Sequence, residues 1–217
     1  MTHLFRLLLL CFLSNSLQAQ IDLREYDYSK VDNLILAKDP ESLELFADFI
    51  NENFRTEHEK FRAIYIWVTE NIDDNDSALD SNVSAVFNSG QATASGAAAL
   101  IKVLCDSCRL KCKVVTGIWK YNIEFDYGIK RNHAWNSVVL SGNEYPADAY
   151  MGSQGFAEEY FLTPPATFLL DHFPENSRDQ FVSEPIKEEQ FLNSPLFLLK
   201  AINYEVISFS PSKGTIK

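Results

Sequence analysis

The most chemically suggestive residues of this chain are a histidine and an aspartate in neighbouring segments. His133 begins the motif His133-Ala-Trp-Asn136, and Asp148 begins Asp148-Ala-Tyr. An imidazole exchanges protons with a reacting group, and a carboxylate beside it fixes the orientation and tautomer of the ring. In a thiol enzyme this pair activates a cysteine at the amino end of a helix, where the helix dipole favours the thiolate. The pair therefore indicates two members of a Cys-His-Asp triad.

Two strands joined by a tight turn would bring these two residues together. His133–Leu140 and Glu144–Tyr150 flank Ser141-Gly-Asn143, and this pattern predicts an antiparallel hairpin. Such a hairpin sets the segment after His133 roughly opposite the segment that begins at Asp148. The hairpin is thus the element that must position the imidazole against the carboxylate.

The other patterns predict helices before this hairpin and an irregular tail after it, which is an α+β organisation. The predicted helices are a short one near Lys30–Ala37, one starting at Asp39-Pro40, one opening with the capping box Thr56-Glu-His-Glu59, and the alanine-rich Gln91–Leu104. The remaining predictions are a surface loop over Asn71–Asn82, a strand over Lys111–Tyr121, a loop over Asn122–Asn132, a proline-broken tail from Met151, and a last strand over Tyr204–Phe209.

Five segments, in order, resemble motifs of the transglutaminase-like superfamily. They are Arg62-Ala-Ile-Tyr-Ile-Trp-Val-Thr-Glu-Asn-Ile72, the small and apolar positions Gly96, Ala98, Leu100 and Leu104-Cys105, Cys112-Lys-Val-Val-Thr-Gly117, His133-Ala-Trp-Asn136 with Asp148-Ala-Tyr, and Phe161-Leu-Thr-Pro-Pro165 with His172-Phe-Pro-Glu175. The last resembles the tail of the kyphoscoliosis-peptidase-like and cytokinesis-protein-like branch. The resemblance covers about Phe61 to Gly152 and implies a papain-like core of helices packed on an antiparallel sheet. The superfamily's activities are thiol proteolysis and glutamine-amide transfer.

The same resemblance aligns Ala94 with the superfamily's nucleophilic cysteine. Thr93 and Ala97 also depart from the pattern around that position. Alanine cannot attack a substrate, so the resemblance implies a scaffold that keeps His133 and Asp148 and lacks the nucleophile. We therefore expect an inactive relative whose remnant cleft binds a polypeptide or an envelope partner.

Two alternatives remain open from the sequence. The first is a weak hydrolase or amide transferase that uses Ser95 as a displaced nucleophile, or a water activated by His133. The second is a structural domain of an envelope assembly, in which His133 and Asp148 persist as a hydrogen bond within the hairpin. The predicted cleft wall comprises Trp119, Trp135, Ser95 and Asn136.

The amino-terminal residues and the net charge of the chain indicate where the protein is located and which partners are excluded. Residues 1–19 combine Arg6, a short apolar run and small residues near Ala19, which predicts a secretory signal and a periplasmic or extracellular protein. The chain has 19 basic and 30 acidic residues, and this charge argues against a nucleic-acid partner. No later segment is apolar and long enough to predict a membrane span in the mature chain. The predicted organisation continues with a helical segment at 20–55, the core at 56–153 and a packed extension at 154–217.

The sequence gives no reason to expect a cofactor or a metal. Cys105, Cys108 and Cys112 are close together, but a structural zinc site needs four ligands and no fourth is apparent. We expect these cysteines to pack in the core or to form one disulfide. His58 is expected to be exposed, and His172, in an aromatic and proline-rich tail, is expected to pack rather than to catalyse.

Overall fold

A computed structural model of the chain describes residues 23–78, 82–123 and 126–196. The predicted signal at 1–19 and the predicted strand Tyr204–Phe209 lie outside these residues. The described helices are α1 (Ser29–Leu36), α2 (Leu43–Asn53), α3 (Glu57–Asn71), α4 (Val83–Ser89), α5 (Ala94–Ser107), α6 (Ala149–Met151), α7 (Pro165–Phe168) and α8 (Glu188–Asn193). The described strands are β1 (Asp73–Asp74), β2 (Gln91–Ala92), β3 (Lys111–Ile123), β4 (Asp126–Leu140), β5 (Asn143–Ala147) and β6 (His172–Pro174).

Four of these strands form one antiparallel sheet in the order β5-β4-β3-β6. Strands β1 and β2 form a separate parallel pair. Helix α5 packs against β3 and β4, and α3 packs against α5. These elements share the main core, which includes Phe61, Tyr65, Leu100, Leu104, Val138 and Leu140. The predicted α+β class, with helices on an antiparallel sheet, is confirmed.

The long hairpin of β3 and β4 corrects one prediction. The predicted loop Asn122–Asn132 is wrong, because β3 runs to Ile123 and β4 starts at Asp126. The ladder pairs Lys120 with Ile129 and Tyr121 with Gly128. The sequence carries a signal for this pairing, because Ile123, Phe125, Tyr127 and Ile129 alternate with polar residues and glycine, which is the period-two pattern of a strand.

Local capping signals account for where α2, α3 and α5 begin. The Thr56 capping box is confirmed, since its side chain accepts from the Glu59 amide and Glu59 accepts from the Thr56 amide. The predicted start at Asp39-Pro40 is wrong: Ser42 caps α2 by accepting from the Leu45 amide at 3.2 Å. Helix α5 begins at Ala94, later than predicted, and Thr93 caps it.

Two further predictions need revision. The predicted helix Gln91–Leu104 is wrong at its first residues, because Gln91 and Ala92 form β2 beside β1. Strand β1 lies inside the predicted surface loop Asn71–Asn82, so this segment is partly anchored to the start of α5. None of the described helices is long and apolar enough to cross a membrane.

A buried arginine ties the amino-terminal helix to the segment that follows the hairpin. Arg62 on α3 bonds both carboxylate oxygens of Asp32 on α1, at 2.8 and 2.7 Å. It also bonds Glu158, with its guanidinium carbon 4.7 Å from the centre of the Phe161 ring. These contacts hold α3 in place, and α3 in turn supports the site through Tyr65.

Candidate functional site

The predicted hairpin brings the histidine and the aspartate together. Asn136 of β4 pairs with Ala147 of β5, and the chain reverses at Ser141 and Gly142, both with positive φ. His133 Nε2 lies 2.6 Å from Asp148 Oδ2, and both side chains are buried. The geometry is therefore that of a hydrogen-bonded His–Asp dyad.

Asp148 is held from several directions. Its Oδ1 atom caps the short helix α6 by accepting from the Met151 amide at 3.1 Å. Its own amide donates to the Tyr160 carbonyl at 3.1 Å. The Tyr65 hydroxyl lies 3.3 Å from the Asp148 carbonyl and 2.9 Å from the Ala157 carbonyl. The carboxylate orientation is thus fixed by groups from three different segments.

His172 is a third member of this network, and sequence reasoning missed it. Its Nε2 atom lies 3.1 Å from Asp148 Oδ2, and its Nδ1 atom lies 2.6 Å from Asp171 Oδ1. The Tyr160 hydroxyl donates to the other oxygen of Asp171 at 2.5 Å. His172 also packs on the Phe168 ring at 4.1 Å, so the expectation that it packs is correct but incomplete. The adjacent acid at position 171 is the one signal that could have indicated a paired imidazole.

The two imidazoles of the network differ in protonation. Burial disfavours the charged form of His172, but Asp171 and Asp148 outweigh it and raise the pKa of His172 to about 9. Burial lowers the pKa of His133, and the positive charges of His172 and Lys130 oppose the effect of Asp148 on it. For Asp148, burial is outweighed by the two histidines, which hold the pKa of the carboxyl below its usual range. The network therefore contains a carboxylate, an imidazolium at 172 and a neutral imidazole at 133.

Aromatic rings surround His133 on the sheet face. The ring centres of Trp119, Tyr150 and Trp135 lie 5.0, 5.6 and 6.1 Å from its own. Among the described residues, His133 Nδ1 is a buried ring nitrogen without a hydrogen-bond partner. The imidazole thus has one nitrogen fixed on Asp148, while the other is buried and unpartnered in the part of the chain that the structure describes.

A bulge in β4 directs a lysine toward this histidine. Gly117 pairs with His133 but Trp119 pairs with Lys130, so β4 contains one extra residue between these pairs. Lys130 consequently shares a face with His133, although the two are three positions apart, a spacing that would place them on opposite faces of a regular strand. Its ammonium pairs with Asp76, which also accepts from the Tyr150 hydroxyl at 2.9 Å. Asp76, expected in a solvated loop, therefore helps to cover the dyad.

Gly117 makes room for the tryptophan beside the dyad. A Cβ atom at this position would lie 2.2 Å from the Phe173 carbonyl oxygen and 2.6 Å from Trp135 Cη2. Only a residue without a side chain lets β6 and the Trp135 ring approach β3 this closely.

Ala94 and Ser95 occupy different environments at the start of α5. Ala94 is 2% exposed and packs in the cluster that contains Trp119, Trp135 and Tyr150. Ser95 is exposed. Adjacent helical residues point about 100° apart, so the two side chains cannot serve the same position.

An open pocket of about 800 Å³ adjoins the buried dyad. It is lined by Asp74, Asp76, Trp119, Tyr121, Ile129, Lys130, Arg131, Asn132, Tyr150 and Gln154. Of the four residues predicted to wall a cleft, Trp119 lines this pocket. Trp135 is buried behind it, and Asn136 is buried with its amide donating to the Ala98 carbonyl at 2.9 Å.

The cysteines lie away from the dyad. All three described cysteines are free thiols, and Cys105 and Cys108 belong to the main core. Burial raises the pKa of Cys105, and it raises that of Cys108 to about 11. Core packing, one of the two expected roles, describes these two residues, and neither thiol is poised as a nucleophile.

The dyad and His172 are also the group of described residues that could offer three metal-ligand atoms. These atoms all lie within 4.8 Å of one another. The 2.6 Å separation of His133 and Asp148, however, is that of a direct hydrogen bond. Two ligands each about 2 Å from an ion lie further apart than this, so the arrangement fits a proton-sharing network better than a metal site.

Comparison with known proteins places the site in a family context. Residues 46–149 match the family model described as the transglutaminase-like superfamily. The chain is 29% identical over 194 residues to the kyphoscoliosis peptidase of Mus musculus, covering 80% of this chain and 29% of that protein. It is 25% identical over 164 residues to cytokinesis protein 3 of Saccharomyces cerevisiae, covering 66% of this chain and 18% of that protein.

A solved structure of a TGase is also similar, with a TM-score of 0.37 and 17% identity over 61% of this chain and 34% of that one. The chain spans less than a third of the length of the kyphoscoliosis peptidase and of cytokinesis protein 3.

Proposed function

Because residues 46–149 form a transglutaminase-like domain, we propose that this protein is an exported, catalytically inactive member of that superfamily. It binds a polypeptide, or a protein of the cell envelope, in the pocket beside the buried dyad.

Ala94 is the observation that carries the proposal. It is the first residue of α5, and its methyl group packs among the rings that surround His133. A helix amino end next to an imidazole is where a thiol would ionise most readily, because both the helix dipole and an imidazolium favour the thiolate. The neighbouring superfamily motifs support the assignment of Ala94 to the nucleophile position. A methyl group there removes the bond-forming step and leaves the scaffold intact.

The unsatisfied nitrogen of His133 supports the same conclusion. Asp148 is ionised and only accepts, so Nε2 of His133 carries the proton and Nδ1 presents a lone pair. In a thiol enzyme that lone pair would exchange a proton with the nucleophile. In this chain it has no hydrogen-bond partner among the described residues. The imidazole could act as a base, and the alanine at position 94 has no proton to exchange with it.

The open pocket supports a binding role. Its floor includes Trp119, and Tyr121 and Tyr150 also line it, together with charged groups of both signs. Aromatic rings next to a few polar groups are typical of surfaces that recognise polypeptides. Export is supported by the signal-like residues 1–19 of the sequence.

The enclosure of the dyad is also compatible with the alternative of a structural domain. His133, Asp148 and Ala94 are all buried, which is also expected of an architectural domain whose cleft is filled by its own side chains. The open pocket favours binding over a purely architectural role. A displaced serine is disfavoured, because Ser95 is exposed while the dyad is enclosed.

Two assays on the purified mature protein test the absence of catalysis. The first follows casein hydrolysis, and the second follows incorporation of dansylcadaverine into casein. We expect no turnover above buffer, and no difference between wild type, His133→Ala and Ser95→Ala. Wild-type turnover that disappears in His133→Ala would overturn the proposal. If the turnover also disappears in the separate variant Ser95→Ala, Ser95 would be identified as the displaced nucleophile.

A further inference from the structure

Part of strand β4 has a free edge within the described structure. Strand β5 pairs with residues 136–140 of β4 and then ends at Ala147. Residues 126–135 of β4 pair with β3 on one side. On the other side, the described residues show no backbone hydrogen bond to this stretch. The backbone N–H and C=O groups that point away from β3 therefore have no ladder partner among the described residues, and they form a template for another strand.

The open pocket runs along this edge. Ile129, Lys130, Arg131 and Asn132 are consecutive residues of β4, and all four line the pocket. Side chains of consecutive strand residues point to opposite faces of a sheet. Ile129 and Lys130 precede the bulge and point to opposite faces, so a pocket lined by both lies against the edge of the strand. Arg131 and Asn132 line it from the bulge, where the alternation is interrupted. Tyr150 and Gln154, which follow β5 in the chain, also line the pocket.

Some charged side chains of the pocket form ion pairs with neighbouring residues, and one carboxylate does not. Lys130 pairs with Asp76, and Arg131 lies 2.8 Å from Glu188. Asp74 also lines the pocket, and no ion pair or hydrogen bond from its carboxylate occurs among the described residues. The pocket therefore offers one uncompensated negative charge next to a strand edge and three aromatic rings.

We infer that this groove binds an extended peptide that adds as a further strand to β4 near residues 128–131 and places a lysine or arginine beside Asp74. The inference rests on the proposed polypeptide-binding function and specifies how the partner is held. Main-chain hydrogen bonds to the β4 edge supply affinity, and alternate side chains of the peptide contact Tyr121 and Tyr150. The bulge at Arg131 and Asn132 limits the added ladder to a few residues.

The test begins with a phage-displayed library of random dodecapeptides selected against the full mature protein. The consensus peptide is synthesised with a fluorescein label, and its Kd is measured by fluorescence anisotropy. Variants of this peptide then carry a single backbone N-methyl group at each position in turn. Strand addition predicts a period of two, in which alternate N-methyl groups weaken binding about tenfold and the intervening ones change it little.

Protein variants test the chemistry of the groove. Asp74→Asn is expected to weaken a basic peptide about two- to fivefold, as for an exposed ion pair. The matched control is Glu44→Gln, which removes an exposed acid on α2 away from the groove. Equal affinities for Asp74→Asn and wild type would overturn the recognition of a basic side chain.

Different results would overturn strand addition and polypeptide binding. If a selected peptide is weakened by Tyr121→Ala but shows no period of two on N-methylation, strand addition is overturned and polypeptide binding stands. If no peptide is enriched, or if Tyr121→Ala leaves binding unchanged, the proposed binding function itself falls. Binding that appears only after deletion of residues 197–217, or a concentration-dependent dimer that the peptide dissociates, would show that this chain is itself the occupant and would overturn the inference.

Discussion

His172 Nε2 lies 3.1 Å from Asp148 Oδ2, the same carboxylate oxygen that His133 contacts. This carboxylate therefore serves two imidazoles, and Asp171 supplies a second negative charge to the outer one. Burial is the main reason that His133 stays neutral, and the positive charge of His172 on the shared carboxylate lowers the pKa of His133 further. All the hydrogen bonds of this network are made without a group at position 94, where the chain has alanine.

The first prediction concerns the pH dependence of stability. The pKa of His172 is raised to about 9 in the folded protein, above its usual 6.5. A raised pKa stabilises the fold fully below pH 6.5, and this contribution is lost as the pH rises through about 9. Its size is about 3 kcal/mol in the free energy of unfolding. Urea unfolding at pH 6 to 9.5 should show His172→Gln less stable than wild type at pH 6, with a difference that shrinks toward pH 9.5. A difference in the free energy of unfolding that stays constant from pH 6 to 9.5 would contradict the assignment of the positive charge to His172.

The second prediction concerns the electrostatics of His133. Burial is the main cause of its lowered pKa, and the charge of Lys130 lowers it further. Lys130→Met removes that charge and leaves Asp76 uncompensated, so the pKa of His133 should rise. The titration is followed by NMR of the imidazole nitrogens. Lys102→Met, which removes a cation on α5 from its pair with Asp106, is the control and should leave His133 unchanged. An unchanged His133 in Lys130→Met would show that the bulge does not direct this lysine toward the dyad.

Local signals predicted the elements that hold the dyad. Thr56 and Glu59 are three residues apart, and their reciprocal capping requires nothing beyond the helix they begin. Ser141 and Gly142 fix the hairpin register through the turn itself. Since that register sets Asn136 opposite Ala147, the approach of His133 to Asp148 follows almost directly from the sequence.

The parts that depend on distant contacts could not be predicted. His172 reaches Asp148 because β6 pairs with β3 at Trp119, and a three-residue strand in a proline-rich tail leaves no periodic signal. The bulge that directs Lys130 is visible only as a shift of register between two strands. The enclosure of the dyad likewise depends on Asp76, which lies in a segment whose polar sequence predicts a surface loop.

The third prediction concerns the close approach at Gly117. The Cβ atom of an alanine would lie 2.2 Å from a backbone oxygen of Phe173, so β6 or β3 must shift. We expect Gly117→Ala to lower the free energy of unfolding by about 3 kcal/mol, as for overpacking in a rigid core. Since β6 bears His172, the variant should also weaken the pH-dependent stability described for that residue. Val114→Ala, at an exposed position of the same strand, is the control. Stability equal to wild type would mean that β6 is held only loosely against β3.

The last prediction introduces a thiol at position 94. In Ala94→Cys, the thiol would stand at the amino end of α5 in the cluster that surrounds His133. The helix dipole and proton transfer to Nδ1 of His133 should lower its pKa below the usual 8.5. The thiolate absorbance at 240 nm measures this as a difference from wild type and does not depend on access to the buried site. Adding His133→Ala should return the pKa toward its ordinary value.

Ser95→Cys is the matched control, because it moves the thiol by one residue on the same helix to an exposed position. Its thiol should titrate near 8.5 and be insensitive to His133→Ala. A low pKa at 94 alone would mean that the dipole and the dyad remain assembled and that only the nucleophile is missing from this scaffold. A low, His133-dependent pKa at 95 instead would mean that the helix presents position 95 to the dyad, and the displaced serine would then become the leading hypothesis. Ordinary titration at both positions would show that Nδ1 of His133 does not face α5, and the assignment of Ala94 to the nucleophile position would fall.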